Sequence, residues 1–205
     1  MTTPQLLKKA RAYPIFSLED CHKWFPELSR PALYVRLTRS VAQHHVLRLK
    51  RGLYLLNEEP FPQPFAIASR LDPQAIISLE TVLNRRGIIP DIPFAITAVT
   101  TQKTARYNIG RVGTFLFRHI HPALAFGFRL EMYSPYTARV AESEKALLDL
   151  FWFHRSDPDP QAYIDELRLS IGEKFSWTRF KRYTHAYRNI GLSRLAACVM
   201  KKYRT

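Results

Sequence analysis

The chain has 205 residues, of which 46% are hydrophobic and 13% aromatic, so it can bury a core and is not globally disordered. This length favours one large domain or two small ones. The 31 Lys and Arg residues outnumber the 17 Asp and Glu residues, giving a formal net charge of +14. A charge so far from zero points to a polyanionic partner and carries no information about the fold.

The two cysteines, Cys21 and Cys198, are far apart in the sequence and belong to no CxxC or Cys/His cluster. We therefore expect no zinc site, no disulfide scaffold and no cofactor, with Cys21 as a small core residue. The first residues lack the apolar core of a signal peptide, and no run of about 18 apolar residues predicts a membrane span. These patterns predict a cytoplasmic protein without a membrane partner.

The positive charge is concentrated at the two ends of the chain. Residues 1–60 hold 10 basic and 5 acidic side chains, and residues 171–205 hold 9 basic and 1 acidic. The middle zone, residues 61–170, is nearly neutral, with 12 basic and 11 acidic side chains. Between the first zone and the middle zone, prolines at positions 60, 62 and 64 disfavour both helix and central strand. We place a domain boundary there, with a first domain at 1–58 and a second at 65–205.

Three helices are predicted in the first domain. The first spans roughly residues 4–12. The second begins at Ser17, which suits an N-cap, and two acidic residues in its first turn agree with the helix dipole. The third begins at Ser29, with a proline in its first turn. Apolar residues spaced by four along this third helix predict one buried stripe. The stripe consists of Leu33, Leu37 and Val41.

A basic β-hairpin is predicted directly after the third helix. In residues 46–50 leucines alternate with basic residues, which gives a strand with one apolar and one basic side. Gly52 permits a turn, and residues 53–56 return as the second strand. A short helix, a tight connection, an amphipathic basic helix and a basic hairpin together predict a winged helix-turn-helix.

In that arrangement the third helix enters the major groove of double-stranded DNA, and the hairpin contacts phosphates or the minor groove. Residues 28–57 contain six Lys or Arg and no Asp or Glu, which favours this interpretation. The predicted DNA-binding residues are Ser29, Arg30, Tyr34, Val35, Arg36, Thr38, Arg39, Arg48, Lys50 and Arg51. The alternative is a solvated basic face on an ordinary helical domain.

The middle of the chain reads as a small α+β domain. Helices are predicted at 65–71, from 77 to a stop at Gly87, and at about 141–153, and strands at 95–100, 114–120 and 128–133. The expected buried face of the helix at 141–153 consists of Ala146, Leu147, Leu150 and Phe151. The overall prediction is therefore an α+β chain, in which a winged helix-turn-helix precedes a small α+β domain that ends in a basic helical bundle.

Three helices close the chain, beginning near Asp159, Ser176 and Ser193. Basic side chains alternate with aromatic ones here, which suits contact with a nucleic-acid backbone. The same pattern also suits a core-facing aromatic stripe with a solvated basic side, and both interpretations stay open. The possible second basic surface, within residues 171–205, consists of Arg179, Lys181, Arg182, Arg188, Lys201 and Lys202.

The chain has no GxSxG, HExxH, GxxxxGK[ST] or GxGxxG motif, so no catalytic residue is assigned and no enzyme is expected. The best metal candidates are His119 and His121, which would share one side of a strand with Phe115 and Phe117. In that apolar neighbourhood we expect packed or edge histidines and no metal.

Four charged residues crowd the start of the helix at 141–153. Carboxylates near a lysine suit a metal-dependent nuclease, but no strand-borne carboxylate precedes a Glu-x-Lys pattern here. We expect pairing with the helix dipole and along one helix face instead. The four residues are Glu142, Glu144, Lys145 and Asp149.

Several segments, in this order and spacing, resemble the AbiEi family of antitoxins from type IV toxin–antitoxin (abortive infection) systems. They cover roughly residues 15–152. The segments are FSLED at 16–20, SRPALYVRL at 29–37, LKRGLY at 49–54, ASRL at 68–71, ISLE at 77–80, GIIP at 87–90 and EKALLDL at 144–150.

The resemblance implies a bacterial transcriptional repressor that binds inverted repeats in the promoter of its own operon through a winged helix. It further implies that the C-terminal domain counters a nucleotidyltransferase-like toxin, without direct contact being required. Two alternatives stay open. One is a ligand-responsive winged-helix regulator with no toxin partner, and the other is a nucleic-acid-processing enzyme.

Overall fold

In the computed structural model, which describes residues 1–204, the chain begins with three helices and three short strands. These elements are α1 (Thr3–Ala12), β1 (Ile15–Ser17), α2 (Leu18–Trp24), α3 (Arg30–Ala42), β2 (Val46–Lys50) and β3 (Leu53–Leu56). The strands form one antiparallel sheet in the order β1-β3-β2. The three helices and the hairpin confirm the elements predicted for this region, whereas β1 is an additional strand.

Side-chain caps explain where α2 and α3 begin. The Asp20 amide donates a hydrogen bond to the Ser17 hydroxyl (3.1 Å), and the Ser17 amide donates one to the Asp20 carboxylate (2.8 Å), which completes a capping box. The Ala32 amide donates to the Ser29 hydroxyl (3.4 Å) at the start of α3. The predicted stripe of α3 is confirmed, because two of its members are fully buried and the third is half-buried. They are Leu33, Leu37 and Val41.

The three-stranded sheet is buried on both faces. One face packs against the three helices through side chains that include Phe16, Val46 and Tyr54. The other face contributes Leu53 and Leu55 to the larger core of the remaining chain. The hairpin therefore lies between two hydrophobic cores and does not project freely into solvent.

The rest of the chain combines six helices with a second sheet. Its elements are α4 (Pro64–Leu71), β4 (Ile76–Ile77), α5 (Leu79–Arg85), β5 (Ile96–Thr100), β6 (Ala105–Ile109), β7 (Gly113–His119), β8 (Phe128–Tyr133), β9 (Tyr136–Ala141), α6 (Ser143–Phe153), α7 (Pro160–Glu166), α8 (Trp177–Tyr187) and α9 (Ile190–Tyr203). The six strands lie in the order β6-β7-β5-β4-β9-β8, with β4/β9 and β5/β7 parallel and the other neighbours antiparallel. The predicted α+β class is confirmed.

Several predicted boundaries in this region are wrong. The helix expected from residue 77 begins at Leu79, because Ile76–Ile77 pairs with β5 and β9 inside the sheet. The helix expected from residue 141 begins at Ser143, since Ala141 is the last residue of β9. The last helix begins at Ile190, before the expected cap at Ser193. Its N-cap is Asn189, whose side-chain oxygen accepts a hydrogen bond from the Leu192 amide (3.0 Å).

The two regions are in direct contact across the segment where we placed a domain boundary. The Tyr136 hydroxyl accepts a hydrogen bond from the Ile15 amide (2.7 Å) and donates one to the Ile15 carbonyl (3.0 Å). The Arg70 guanidinium donates to the Asp20 carboxylate (3.1 Å). Because β1 and the hairpin also share the larger core, the N-terminal unit has a fixed position on the rest of the chain.

The helix α6 is the central element of the second region. It packs against α5, α8 and α9, and every residue from position 144 to 151 is buried. Its predicted apolar face is therefore confirmed, but the opposite side is buried as well. Cys21 is fully buried, as predicted. None of the helices within residues 1–204 is long and apolar enough to cross a membrane.

Candidate nucleic-acid interface

The helix α3 has one outward face that combines apolar and basic side chains. Opposite the buried stripe, Val35 is 49% exposed, and Thr38 and Arg39 are exposed beside it. Tyr34, 44% exposed, lies on one flank of this face. An exposed valine and tyrosine next to an arginine give the face both apolar contact area and a cation. We call Tyr34, Val35, Thr38 and Arg39 the outer face of α3.

The three predicted arginines of α3 are in different environments. Arg39 has no side-chain hydrogen-bond or ion-pair partner within residues 1–204. Arg30 forms an ion pair with Glu19 (2.9 Å), and because both side chains are more than half exposed, this pair holds the guanidinium only weakly. Arg36 donates a hydrogen bond to the backbone carbonyl of Met1, which turns it toward α1. Arg39 is therefore the arginine of α3 most available to a ligand.

Two of the hydroxyl groups predicted to contact DNA, those of Ser29 and Thr38, form hydrogen bonds within α3. The Ser29 hydroxyl caps the first turn of α3 by accepting a hydrogen bond from the Ala32 amide. The Thr38 hydroxyl donates to the Tyr34 carbonyl (2.9 Å), one turn earlier. Ser29 therefore stabilises the helix, whereas Thr38 presents its methyl group and the remaining lone pairs of its oxygen on the outer face.

The predicted common side of Arg48 and Lys50 is wrong because the hairpin contains a β-bulge. Arg48 pairs with Tyr54, whereas Lys50 pairs with Leu53, and Leu49 is the extra residue between them. Lys50 therefore lies on the side of the larger core, where its ammonium donates to the carbonyl of Leu71 at the end of α4 (2.6 Å). Arg48 remains exposed on the opposite side.

The strand β2, which carries Arg48, packs against α3. Burial raises the pKa of the Tyr54 hydroxyl, and Arg48 opposes this shift while Tyr34 adds to it. Both side chains are therefore close enough to Tyr54 to affect its ionisation. A cation from the hairpin and the tyrosine on the flank of α3 therefore both lie near Tyr54, on the side of the sheet that packs against the three helices.

The tip of the hairpin is held against the start of α2. The carbonyl of Gly52 accepts a hydrogen bond from the Leu18 amide (2.9 Å), and Gly52 itself has the positive φ (76°) that favours glycine in a turn. Arg51 precedes it and is exposed, with no side-chain partner in the described part of the chain. The tip is therefore rigidly placed, and Arg51 is free to contact an anion.

The possible second basic surface is only partly formed. Arg179 contacts Glu142 (3.4 Å) and Glu144 (3.4 Å) and is only 31% exposed, so its prediction as a surface contact is wrong. Lys202 is held by Asp165 (2.5 Å). The remaining predicted members are exposed, with no ion-pair partner among residues 1–204. They are Lys181, Arg182, Arg188 and Lys201.

Two further arginines join this surface around His185. Arg204 lines one shallow depression with Lys181 and Arg182, and Arg194 lines another with Arg188. His185 borders both depressions. The sequence pattern did not single out Arg194, because its approach to Arg188 depends on how α8 and α9 pack.

Of the two histidines proposed as a metal candidate, only His119 lies on the strand side of Phe115 and Phe117; the expectation is wrong for His121, which lies beyond the end of the strand. His119 ends β7 and is exposed, with its Nδ1 atom 2.8 Å from the Gln102 carbonyl. His121 follows the strand and accepts a hydrogen bond from the Ala123 amide (3.2 Å). No group of three or more His, Cys, Asp or Glu within residues 1–204 is arranged to hold a metal ion.

The expected pairing along one face of the helix is confirmed for Lys145 and Asp149, which lie one turn apart. The burial of the cluster was not predicted: Glu144, Lys145 and Asp149 are at most 1% exposed. Glu144 accepts hydrogen bonds from the Ser176 amide and from Arg179. Lys145 donates to Asp149 and to the Tyr187 hydroxyl. These side chains are engaged with each other inside the protein and present no free carboxylate for a metal-dependent nuclease.

A cavity of about 560 Å³ lies at the start of α6, and its charged lining residues largely neutralise each other. Glu142 contacts Arg129 (3.2 Å) and Arg179 (3.4 Å) across it. The Tyr183 hydroxyl also donates to Glu142 (2.8 Å), and this bond contributes to raising the pKa of Tyr183, which burial raises most. The cavity therefore has no concentration of unpaired charge comparable to that around α3.

No protein-family model matches the chain, and no curated protein matches it either.

Proposed function

We propose that this protein is a DNA-binding transcriptional repressor and antitoxin of a type IV toxin–antitoxin system, with the N-terminal unit acting as a winged helix-turn-helix. In this proposal α2 and α3 are the two helices of the motif, and the β2–β3 hairpin is the wing. The partner is double-stranded DNA that carries inverted repeats. The chain has no catalytic role in this proposal.

The observation that carries the DNA-binding proposal is the outer face of α3 with Arg48 beside it. This surface contains an arginine on the helix and a second on a strand that packs against that helix, both exposed and without an ion-pair partner within residues 1–204. Residues 28–57 contain no Asp or Glu, so the repulsion of phosphates is minimal there. A helix with this exposed mixture of cation, hydroxyl and apolar groups suits the major groove.

The residues of the helix and those of the hairpin have different expected roles. Val35 and the Thr38 methyl group suit apolar contact with thymine methyl groups, and Arg39 suits a bidentate contact with guanine or a phosphate. Arg48 and Arg51 lie outside the helix and suit phosphate contacts, which bring affinity without sequence information. Lys50 has no role in DNA contact, because Leu71 holds it on the opposite side of the hairpin.

Arg39→Ala and Arg48→Ala are each expected to weaken binding to promoter DNA by about 1 to 3 kcal/mol and to reduce the salt dependence of the affinity. Fluorescence anisotropy over a series of salt concentrations measures both, with DNA from the region upstream of the gene. Lys103→Ala is the matched control, because it removes one exposed positive charge from a turn of the second sheet. Unchanged affinity in both arginine variants, or an equal loss in the control, would contradict the proposal.

Resemblance to the AbiEi family supports the antitoxin half of the proposed function. We expect the full chain to restore growth to cells that produce the nucleotidyltransferase-like toxin of the same operon. The variant Arg39→Ala/Arg48→Ala should restore growth equally well, because the resemblance implies that the C-terminal region counters the toxin. Colony counts with both genes under independent promoters measure this, and the absence of such a toxin gene beside this one would count against the antitoxin half.

A further inference from the structure

The outermost strand of the larger sheet, β8, has an uncovered edge with exposed apolar side chains. It has β9 on one side and no strand on the other within residues 1–204. Leu130 is 68% exposed and Met132 is 73% exposed, on the same side of the strand. Natural edge strands usually avoid this arrangement, because such an edge is a template for pairing with another chain.

The hydrogen-bond pattern shows which backbone groups of β8 are free. The Glu142 amide donates to the Gly127 carbonyl (2.9 Å), so residue 127 forms a hydrogen-bonded pair with β9. In an antiparallel pair such positions alternate, so residues 129, 131 and 133 also bond to β9. The amides and carbonyls of Phe128, Leu130 and Met132 therefore point to the free edge, and an added strand must hydrogen-bond to these three.

A second copy of β8 can meet this requirement in an antiparallel arrangement when even-numbered residues face even-numbered ones. Two such registers pair five residues of the six-residue strand. A register centred on Glu131 places that carboxylate directly opposite its copy, which is unfavourable. A register centred on Leu130 places Arg129 opposite Glu131 of the other copy twice, with Phe128 opposite Met132 and Leu130 opposite itself. The strand is therefore self-complementary in one register.

We propose that the free edge of β8 binds β8 of a second copy of this chain in the register centred on Leu130. The two sheets then form one continuous sheet across a two-fold axis. The apolar side chains meet on one face, and the two Arg129–Glu131 pairs form on the other. One short strand per copy buries a small area, so the dimer should be weak. This dimer does not depend on DNA binding, although two-fold symmetry is what an inverted repeat requires.

Sedimentation velocity over a range of micromolar concentrations tests the proposal on the full chain. The mass should rise from the monomer value of 23.9 kDa toward twice that value as the concentration increases. Leu130→Lys places two ammonium groups on the two-fold axis and should remain monomeric throughout. Ile190→Lys changes an equally exposed apolar residue elsewhere and should dimerise like the unmodified chain. A monomeric unmodified chain, or a dimeric Leu130→Lys variant, would overturn the proposal.

Reversing the charge of Arg129 or of Glu131 tests the register of the two strands. Arg129→Glu and Glu131→Arg each place like charges opposite each other and should be monomeric alone. Mixed together they restore two opposite-charge pairs and should form a heterodimer. Glu131 also accepts hydrogen bonds from Arg85 (2.8 Å) and Tyr133 (2.6 Å), so thermal unfolding of its variant establishes that it is folded. If both variants are folded and stay monomeric when mixed, the register is wrong. If Glu131→Arg is unfolded, the sedimentation behaviour of Leu130→Lys decides whether β8 forms the dimer.

Discussion

Replacing Lys145 by methionine is expected to lower the free energy of unfolding by about 3 to 5 kcal/mol, because it strands one member of a buried ion pair. Lys145 and Asp149 lie one turn apart on α6, and both side chains are completely buried. The ammonium donates to the Asp149 carboxylate and to the Tyr187 hydroxyl (2.9 Å). Burial lowers the pKa of Lys145 and Asp149 opposes this shift, so each charge depends on the other.

In the Lys145→Met variant, Asp149 would keep only neutral hydrogen-bond donors. The Ser78 hydroxyl lies 2.6 Å from one carboxylate oxygen and the Tyr187 hydroxyl 2.7 Å from the other. A buried carboxylate without a cation has a raised pKa in the folded state. A raised pKa adds stability as the pH falls, so the loss caused by Lys145→Met should be largest at neutral pH and should shrink under mildly acidic conditions.

Urea denaturation at two pH values measures this effect. The double variant Lys145→Met/Asp149→Leu should recover only part of the lost stability, because it removes the unpaired charge but leaves the buried Ser78 and Tyr187 hydroxyls without their acceptor. The control is Lys201→Met on the surface of α9, which should change stability by less than about 0.5 kcal/mol. A double variant that loses as much as the sum of its single variants would show that the two charges are not coupled.

The elements that the sequence predicts well are those with a complete local pattern. For α3, a capping serine, a proline in the first turn and leucines spaced by four all agree, and the helix begins at Arg30 as expected. The strands β4 and β9 have no such pattern. Ile76–Ile77 is a two-residue apolar run that suits a helix equally well, and its pairing with β9, more than 60 positions along the chain, makes it a strand.

At the candidate interface, the side to which a residue points could be predicted for the helix α3 but not for the strand β2. Arg39 follows from the helical period, because every residue of α3 advances by the same angle. Lys50 does not, because one inserted residue in β2 reverses the side to which it points. The burial of Lys145 is likewise invisible in the sequence, where charges near the start of a helix usually face water. Only the packing of α6 against α5, α8 and α9 removes them from solvent.

Replacing Gly191 by alanine is expected to destabilise the protein by about 2 to 3 kcal/mol, against the usual preference of helices for alanine. Gly191 is in the first turn of α9, where it lies directly on the backbone of the segment that follows α6. A methyl group added there would collide with the carbonyl oxygen of Arg155. A backbone atom cannot move aside as a flexible side chain can, so α9 would have to shift away from α6.

Gly172→Ala is the matched control, because a methyl group at that position meets no atom within 4 Å. There the substitution restricts the unfolded chain and should stabilise the protein by about 0.4 to 1 kcal/mol. Urea denaturation of both variants should therefore give changes of opposite sign. If Gly191→Ala were also stabilising, the close contact between α9 and Arg155 would be wrong, and with it the packing that places Tyr187 and the ends of α8 and α9 around the buried charges of α6.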